Sequence, residues 1–300
     1  MNPCTLCPRR CGVDRSRAKG ACGVGDEIRV GAIVIHRGEE PPLVEGAGSG
    51  AIFFCGCPLR CSYCQNSQIS HLCQGRTIAA PELADFMMRL QDAGCSNINL
   101  VSPTHYTPQI LDTLESAFRL GLNLPIVVNS GGYETRECLE LWRRYARIYL
   151  MDLKYGDNHA GRSLSRVPDY WDQAREAISF LWETVGPLEL DREGRAVGGL
   201  IVRHLLLPGM LSNPFSVLEF LAGLSLDIPF SLMSQYNPRF YQGESPEMMR
   251  GLTRDEYQVV LERALDLGFT TIFAQEMDAS GSYNPDFDAD SPFGDLTRLL

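Results

Sequence analysis

Short runs rich in β-branched residues alternate with amphipathic stretches from about residue 48 of this 300-residue chain onward. This alternation is typical of repeated βα units, in which parallel strands form a sheet and helices cover it. The candidate strands are residues 51–55, 97–101, 126–129, 148–152, 199–206 and 230–234, with 271–274 as a candidate seventh. The sequence therefore predicts an α/β fold with at least six βα units.

The stretches between the candidate strands carry apolar residues at helical spacing. The first begins at Pro81, a residue that suits an early helical position. The predicted stripes are Leu83, Phe86, Met87 and Leu90; Ile110, Leu114, Ala117 and Phe118; Ala174, Ile178 and Leu181; and Val259, Val260, Arg263 and Leu267. We expect these helix faces to pack on the sheet rather than to bind ligands.

Polar residues follow most of the candidate strands, at the edge where parallel sheets bind their ligands. They are Ser102, Thr104, His105, Asn129, Ser130, Asp152, Lys154, Ser234, Gln235 and Tyr236. Within the fifth strand, Arg203 needs an anionic partner if it is buried. His204 points to the other face, where a packed, hydrogen-bonded histidine is an equal interpretation. Gln235 and Tyr236 would either bind substrate or line its pocket.

Composition and charge exclude several classes of partner. The net charge of -10 provides no basic surface for a phosphate backbone, which argues against nucleic acid. No apolar run approaches the roughly 18–20 residues that span a bilayer, and the amino terminus lacks the apolar core of a secretory signal. We therefore expect a cytoplasmic protein that does not bind membranes.

The eleven cysteines are concentrated near the amino terminus, with nine of them before residue 74. Cytosolic reductants keep thiols reduced, so metal or cluster binding explains this clustering better than disulfides do. Cys95 and Cys138 are interpreted as small buried hydrophobic residues. Cys55 and Cys73 receive no role.

Three cysteines, Cys57, Cys61 and Cys64, form a Cys-x3-Cys-x2-Cys loop directly after the first candidate strand. Three thiolates in one short loop can bind three irons of a cubane, which leaves the fourth iron open for a ligand. On spacing alone, a zinc site is an alternative. The position of the loop at the start of a βα series favours the cluster.

This loop resembles that of the radical S-adenosylmethionine (SAM) superfamily. The resemblance implies a partial (βα)6 TIM-like barrel over residues 48–277 and a [4Fe–4S] cluster whose open iron chelates SAM. It implies that the reduced cluster cleaves SAM to methionine and a 5′-deoxyadenosyl radical, which abstracts hydrogen from a substrate. It also implies a reducing partner such as flavodoxin or ferredoxin. Tyr63 matches the aromatic residue that this superfamily places near the adenine.

A closer similarity covers residues 48 to about 275. Residues 48–66 and 149–155 look like the pyruvate formate-lyase activating enzyme and its uncharacterised relatives. The similarity implies that Asp152 and Lys154 correspond to an Asp-x-Lys pair that contacts the nucleoside and helps to build a monovalent cation site. Asn129 and Ser130 fall where the family has Asp and Thr. Arg203 is interpreted as a contact to the methionyl carboxylate or the ribose.

The chain departs from that family at two places. Pro103, Thr104 and His105 replace the Gly-Gly-Glu that holds the methionyl amino group, so Thr104 or His105 takes that role or leaves it empty. Asn66, Ser67 and Gln68 replace the Asn-Pro-Glu of many glycyl-radical activases. The target is therefore either a glycyl-radical enzyme or a small metabolite or peptide. The alternative outside the enzymes is a non-enzymatic electron carrier, or an interaction protein that is stabilised by zinc.

The amino-terminal cysteines Cys4, Cys7, Cys11 and Cys22 have the spacing of a four-thiolate site. Zinc and an auxiliary Fe–S cluster fit this spacing equally. We interpret residues 1–47 as a Cys-rich metal-binding extension. The tail 278–300, rich in Asp, Pro, Ser and Gly, is expected to wrap the surface or fray.

Overall fold

The computed structural model describes residues 3–279, 284–289, 292–293 and 299–300. The strands in them, numbered along the chain, are β1 Arg29–His36, β2 Ser49–Phe54, β3 Arg76–Thr77, β4 Ile98–Val101, β5 Ile126–Ser130, β6 Ile148–Asp152, β7 Glu189–Leu190, β8 Ala196–Leu205, β9 Phe230–Met233 and β10 Ile272–Ala274. β2, β4, β5, β6, β8, β9 and β10 lie side by side in that order and are parallel. Antiparallel strands join them at two places: β1 and β3 extend the sheet beyond β2, and β7 pairs with β8.

Helices connect these strands and cover the outside of the sheet. They are α1 Ser67–Ser70, α2 Ala80–Asp92, α3 Thr107–Arg119, α4 Arg136–Trp142, α5 Asn158–Ser165, α6 Tyr170–Val185, α7 Pro214–Leu224 and α8 Arg254–Leu267. Among the described residues, β10 does not pair with β1 or β3, so the sheet curves without closing. This architecture confirms the predicted α/β fold.

All seven predicted strands are present, and their bounds differ from the prediction by a few residues at most. The largest difference is in β8, which begins at Ala196 because its first residues pair with β7. A turn at residues 191–195 joins the two strands, and the Asp191 side chain accepts hydrogen bonds from the backbone there. A short hairpin of this kind has little apolar periodicity, so the sequence does not reveal it.

Most of the predicted helix stripes are buried, including the whole stripe of α2. Four residues are exceptions, of which Arg263 and Leu267 are partly buried and the other two are exposed. Val259 is 45% exposed, because the buried face of α8 is formed by Tyr257, Val260 and Ala264. Phe118 is 38% exposed and stacks on Tyr145 at the surface. The prediction of core positions for Val259 and Phe118 is therefore wrong.

Residues 37–43, here called the floor segment, cross the amino-terminal ends of the parallel strands. The segment leaves β1 at His36, which pairs with Ser49 at the start of β2. The Leu43 carbonyl accepts a 2.8 Å hydrogen bond from Asn97 Nδ2, just before β4. Leu43 is fully buried in a cluster with Val127, Ile148, Leu150, Ala196 and Ile201 from the inner face of the sheet. The floor segment therefore closes one end of the curved sheet.

The described parts of the carboxyl-terminal tail lie against β1 and β2. Phe287 and Phe293 pack edge-on or tilted against Phe53, with ring centroids 5.7 and 5.1 Å from it. Leu299 N donates a 2.8 Å hydrogen bond to the Ile33 carbonyl. In the described ranges, no helix is long and apolar enough to cross a membrane.

Replacing Leu43 with Ala should show how much the floor segment contributes to stability. We expect Leu43→Ala to lower the free energy of unfolding by about 2–5 kcal/mol, because it leaves a cavity in a closed apolar cluster. Urea unfolding followed by far-ultraviolet circular dichroism measures this change. The control is Leu265→Ala, at a helix position that is 59% exposed, where we expect less than about 0.5 kcal/mol. Equal effects of the two substitutions would contradict this packing.

Candidate active site

A cavity of about 560 Å³ lies inside the curved sheet. It extends from the floor segment to the loops at the carboxyl ends of the strands. The structure brings the following strand-end and loop residues singled out in the sequence to its wall: Cys57, Cys61, Tyr63, Cys64, Ser102, Asn129, Ser130, Asp152, Lys154, Arg203, Gln235 and Tyr236. Side chains from several strands and their loops therefore face one space.

The loop with the three cysteines begins where β2 ends, at Gly56. Gly56 has a φ of +84°, and a Cβ there would lie 2.8 Å from the Cys22 carbonyl, so only glycine allows this close approach. Cys57 N donates a 3.1 Å hydrogen bond to the same carbonyl. The loop is also held by contacts of Cys61 Sγ with Ser165 Oγ at 2.9 Å and of Cys64 Sγ with Ser70 Oγ at 3.2 Å.

A row of tyrosines lies beside this loop. Tyr63 donates a 2.8 Å hydrogen bond to the Tyr155 hydroxyl, which contacts the Ser165 hydroxyl. The Tyr63 ring also packs edge-on against Tyr236, with centroids 6.1 Å apart. Gln235 and Tyr236 line the same cavity. The hydrogen bond and the ring packing hold the Tyr63 ring at the cavity wall.

A buried ion network crosses the centre of the cavity. Arg203 Nε donates to Asp152 Oδ1 at 2.7 Å, and Arg203 Nη2 donates to Asn129 Oδ1 at 2.7 Å. Its Nη1 donates to Glu39 Oε2 of the floor segment at 3.2 Å. Lys154 Nζ lies 2.6 Å from Asp152 Oδ2. Burial acts to raise the pKa of Asp152, but Arg203 and Lys154 hold it below its ordinary value.

Thr104 and His105 are buried but are not among the residues that line the cavity. Thr104 Oγ1 donates a 2.6 Å hydrogen bond to Glu134, which also accepts one from Ser130. His105 Nε2 lies 2.8 Å from the Cys55 carbonyl. Ser102, two residues before Thr104, lines the cavity instead. A role of Thr104 or His105 at the methionyl amino group stays a prediction.

His204 also lies outside the cavity lining. Its Nε2 is 3.1 Å from Ser212 Oγ, and its Nδ1 contacts the Leu153 carbonyl. Burial lowers its pKa to about 4. These contacts are those of a packed, neutral histidine.

Three buried glutamates, Glu39, Glu40 and Glu134, were missed by the sequence analysis. Glu39 and Glu40 line the cavity from the floor segment, and Glu134 lies behind Ser130. The sequence contains one indication of Glu39 and Glu40, which are adjacent carboxylates between a strand-like run and Pro41. The cysteine-rich composition of residues 1–47 hides the fact that β1 belongs to the same sheet as β2.

The four amino-terminal cysteines lie in a loop region packed against the Cys57–Cys64 loop. Cys22 Sγ and Cys11 Sγ flank Gly20, at 3.3 and 3.6 Å from the position of a Cβ there. Arg9 Nε donates to the Pro58 carbonyl at 2.9 Å. Within residues 3–279 and the described tail pieces, no three Cys, His, Asp or Glu side chains stand ready around one metal ion. The metal at this second site stays a prediction.

Comparison with known proteins identifies the family. The sequence model of the radical SAM superfamily matches residues 51–182. An uncharacterised protein of Methanocaldococcus jannaschii is 31% identical over 269 residues, which cover 87% of this chain and 74% of that relative. The chain belongs to the radical SAM superfamily.

One further relative and one solved structure are similar to this chain. The pyruvate formate-lyase-activating enzyme of Clostridium pasteurianum is 28% identical over 134 residues, which cover 41% of this chain and 53% of that enzyme. The structure of Streptococcus suis SuiB bound to the precursor peptide SuiA matches with a TM-score of 0.52 and 13% identity. That match covers 75% of this chain and 48% of SuiB, so the chain spans about half of its length. It shows a shared fold.

Membership of the radical SAM superfamily implies a [4Fe–4S] cluster and SAM, and the donor set in the cavity fits a cluster. Burial and the repulsion of Cys61 raise the pKa of Cys64 to about 11, and burial raises the pKa of Cys57 further. Three crowded thiols become thiolates only beside a strong positive charge, which coordinated metal ions supply. Three cysteines in one loop match the ligand type of such clusters.

Removing Arg203 should destabilise the radical SAM fold strongly. Arg203→Ala removes the guanidinium from two buried carboxylates, which leaves Asp152 with Lys154 and leaves Glu39 with the neutral Asn99 amide. We expect this to lower the free energy of unfolding by about 3–5 kcal/mol. The matched control is Arg143→Ala, because Arg143 pairs with Glu140 at the surface, where we expect less than about 1 kcal/mol. Chemical unfolding of both variants measures the difference. If Arg203→Ala lowered the free energy of unfolding by less than about 1 kcal/mol, the network would not stabilise the fold.

Glu134 should make the stability of the chain depend on pH. Burial raises its pKa from the ordinary 4.5 to about 7, although Ser130 and Thr104 act in the opposite direction. Between these values the folded chain retains a proton that the unfolded chain releases, so stability falls as the pH rises from 4.5 to 7. Glu134→Gln cannot ionise. We expect its melting temperature, relative to wild type, to be higher at pH 8 than at pH 5. The control is Glu140→Gln at an exposed position, for which we expect the same difference in melting temperature from wild type at both pH values. The same result for Glu134→Gln would contradict this prediction.

Proposed function

We propose that this protein is an enzyme that cleaves SAM reductively and uses the resulting radical to abstract a hydrogen atom from a substrate. The observation that carries the proposal is the convergence of Cys57, Cys61 and Cys64 on a cavity that also contains Asp152 and Lys154. Membership of the radical SAM superfamily supplies the class of chemistry, and the cavity supplies the residues for it.

Cys57, Cys61 and Cys64 would hold the cluster. When bound, the [4Fe–4S] cluster supplies one electron to the sulfonium of SAM, which yields methionine and a 5′-deoxyadenosyl radical. The cysteine thiols lose their protons when they bind the irons. Burial raises the pKa of both Cys57 and Cys64, and the charge of Lys154 opposes this rise, which favours the thiolate forms.

The remaining polar residues would bind and orient SAM. We propose that Tyr63 contacts the adenine, since its ring is held at the cavity wall by Tyr155 and Tyr236. Asp152 and Lys154 would contact the nucleoside and help to bind a monovalent cation. Their side chains are fixed by the ion network, so they lose little conformational freedom when they bind.

Four further residues would complete or position the SAM site. Arg203, Asn129 and Ser130 line the cavity and would complete the cofactor contacts. Thr104 would act through another residue, because its hydrogen bond to Glu134 positions the carboxylate that Ser130 contacts. His105 would fix the Cys55 carbonyl just before the cluster loop.

An acidic electron-transfer protein such as flavodoxin or ferredoxin would deliver the electron. The support is a basic patch beside the cluster loop of a chain whose net charge is -10. Arg162 and Arg166 are exposed at the end of α5, and Arg60 N donates a 3.2 Å hydrogen bond to the Ser165 carbonyl of the same helix. Complementary charge of this kind steers a negatively charged donor protein to the cluster.

Two classes of target are proposed for the radical. A glycyl-radical enzyme is supported by the 28% identity to the Clostridium pasteurianum pyruvate formate-lyase-activating enzyme. A small metabolite or peptide is supported by the acidic residues on the cavity floor, Glu39 and Glu40, which lie well below the loops. The four amino-terminal cysteines would bind a second metal centre, either zinc or an Fe–S cluster.

The metal content and the products of cysteine variants test this proposal. After anaerobic reconstitution and dithionite reduction with SAM, we expect wild type to form 5′-deoxyadenosine. The Cys57/Cys61/Cys64 triple Ala variant should lose about four irons per chain, as one cubane holds four, and at least a hundredfold of the product. Mass spectrometry for iron and zinc, with chromatography of the nucleoside, measures both.

Two further variants complete the cysteine experiment. Cys95→Ala is the matched control, since Cys95 is a buried cysteine that belongs to neither cysteine group and lies just after α2. The Cys4/Cys7 double Ala variant should lose either zinc or additional iron, which identifies the second metal. If wild type bound its cluster and formed no 5′-deoxyadenosine, against an active control enzyme, the chain would be an electron carrier rather than an enzyme.

A further inference from the structure

The floor of the cavity carries two carboxylates that the cofactor contacts above do not use. Glu39 and Glu40 are adjacent in the floor segment, and both side chains are at least nine-tenths buried, with 7% and 6% exposure. Glu39 is fully engaged, because Arg203 bonds to one carboxylate oxygen and Asn99 Nδ2 donates to the other at 3.0 Å. Both residues line the cavity.

Glu40 differs from Glu39 in having an oxygen without a hydrogen-bond donor. Within the described residues, Glu40 Oε2 has no hydrogen-bond partner and lies 4.0 Å from Arg203 Nη1, while the Ser231 side chain interacts with the same carboxyl group. A buried acceptor left without a donor is unfavourable, so this oxygen at the cavity wall indicates a binding partner that donates a hydrogen bond.

The charges at the cavity wall are also unbalanced. Three carboxylates, Glu39, Glu40 and Asp152, face two cations, Arg203 and Lys154. His36 does not supply the missing charge, because it accepts a hydrogen bond from Gly38 N at Nδ1, and burial lowers its pKa to about 4. One further positive charge would balance the carboxylates of the cavity.

The wall next to these carboxylates is apolar. Phe53 and Phe293 pack against His36 there, and Leu205, Met233 and Ile272 line the same cavity. Apolar walls that lead to a small number of buried polar groups are typical of sites for small molecules or side chains with a charged end.

We infer that the cavity floor binds a positively charged amino group of the substrate, with Glu40 Oε2 accepting an N–H donor from it. The substrate is therefore an alkylamine or a lysine side chain whose hydrocarbon part lies along Phe53 and Phe293. This inference rests on the proposed function, since it names the class of substrate for the same cavity. Burial raises the pKa of Glu40, and a bound ammonium would stabilise its ionised form.

Binding of small probes to the reconstituted protein with SAM tests the inference. Isothermal titration would compare n-butylammonium with its neutral counterpart 1-butanol, at constant ionic strength. We expect the ammonium to bind at least tenfold more tightly, and a blocked lysine, Nα-acetyl-lysine N-methylamide, would show whether the amine comes from a peptide or a free metabolite. Equal affinity for the ammonium and the alcohol would overturn the inference without the need for any variant.

Glu40→Gln should remove the preference for the ammonium, and Glu39→Gln is a second variant in case the first does not fold. The matched control is Glu45→Gln, since Glu45 is an exposed carboxylate a few residues further along the chain. An unchanged preference for butylammonium over 1-butanol in Glu40→Gln would overturn the inference. If Glu40→Gln weakened SAM binding as much as butylammonium binding, Glu40 would be assigned to SAM instead. If millimolar K⁺ occupied the site as strongly as butylammonium does, Glu40 would be assigned to a metal ion.

The same preparations distinguish failure of this inference from failure of the proposed function. 5′-Deoxyadenosine formed without any preference for the ammonium overturns the inference alone. An ammonium preference that depends on Glu40, without formation of the nucleoside, overturns the proposed function and leaves the amine site in place.

Discussion

The hydrogen-bonded ion network around Arg203 is the interaction on which the rest of the site depends. It joins β8 to β6 through Asp152, to β5 through Asn129, and to the floor segment through Glu39. A buried guanidinium is tolerated only when its donors are satisfied, so each partner is needed. The geometry of three strands and the floor of the cavity is thereby fixed by one side chain.

The cysteine loop depends on a different constraint, the close approach of two chain segments at Gly56. There the loop that follows β2 and the amino-terminal cysteine region share a backbone hydrogen bond, from Cys57 N to the Cys22 carbonyl. The loop also rests on α5, through Arg60, Ser62 and Ser165. Contacts from both sides therefore hold the loop that carries the three thiols.

Much of the fold could be predicted from the sequence, because it follows from local periodicity. The strands at 126–129 and 148–152 are continuous apolar runs between turn residues, and both are present as β5 and β6. The polar residues at their ends, Asn129 and Asp152, could be assigned to one site because parallel strands end at the same edge. The site itself followed from this rule together with the spacing of the cysteines.

The missed features depend on contacts that are distant in sequence. Glu39 and Glu40 reach the cavity only because β1 pairs antiparallel with β2 and directs the floor segment beneath the sheet. Local patterns carry no information about this arrangement. Val259 is next to the buried Val260 in α8. A helical stripe shifted by one residue has almost the same spacing, so periodicity alone does not distinguish the two positions.

The floor segment has a consequence for the order in which the chain is made. A chain leaves the ribosome from its amino terminus, so residues 37–43 emerge before any of the parallel strands that they underlie. Glu39 therefore has no counterion until Arg203, 164 residues further along the chain, is synthesised. The charged wall of the cavity is thus completed only when β8 has been synthesised. A truncated nascent chain that ends before β8 would leave Glu39 and Glu40 without the Arg203 counterion.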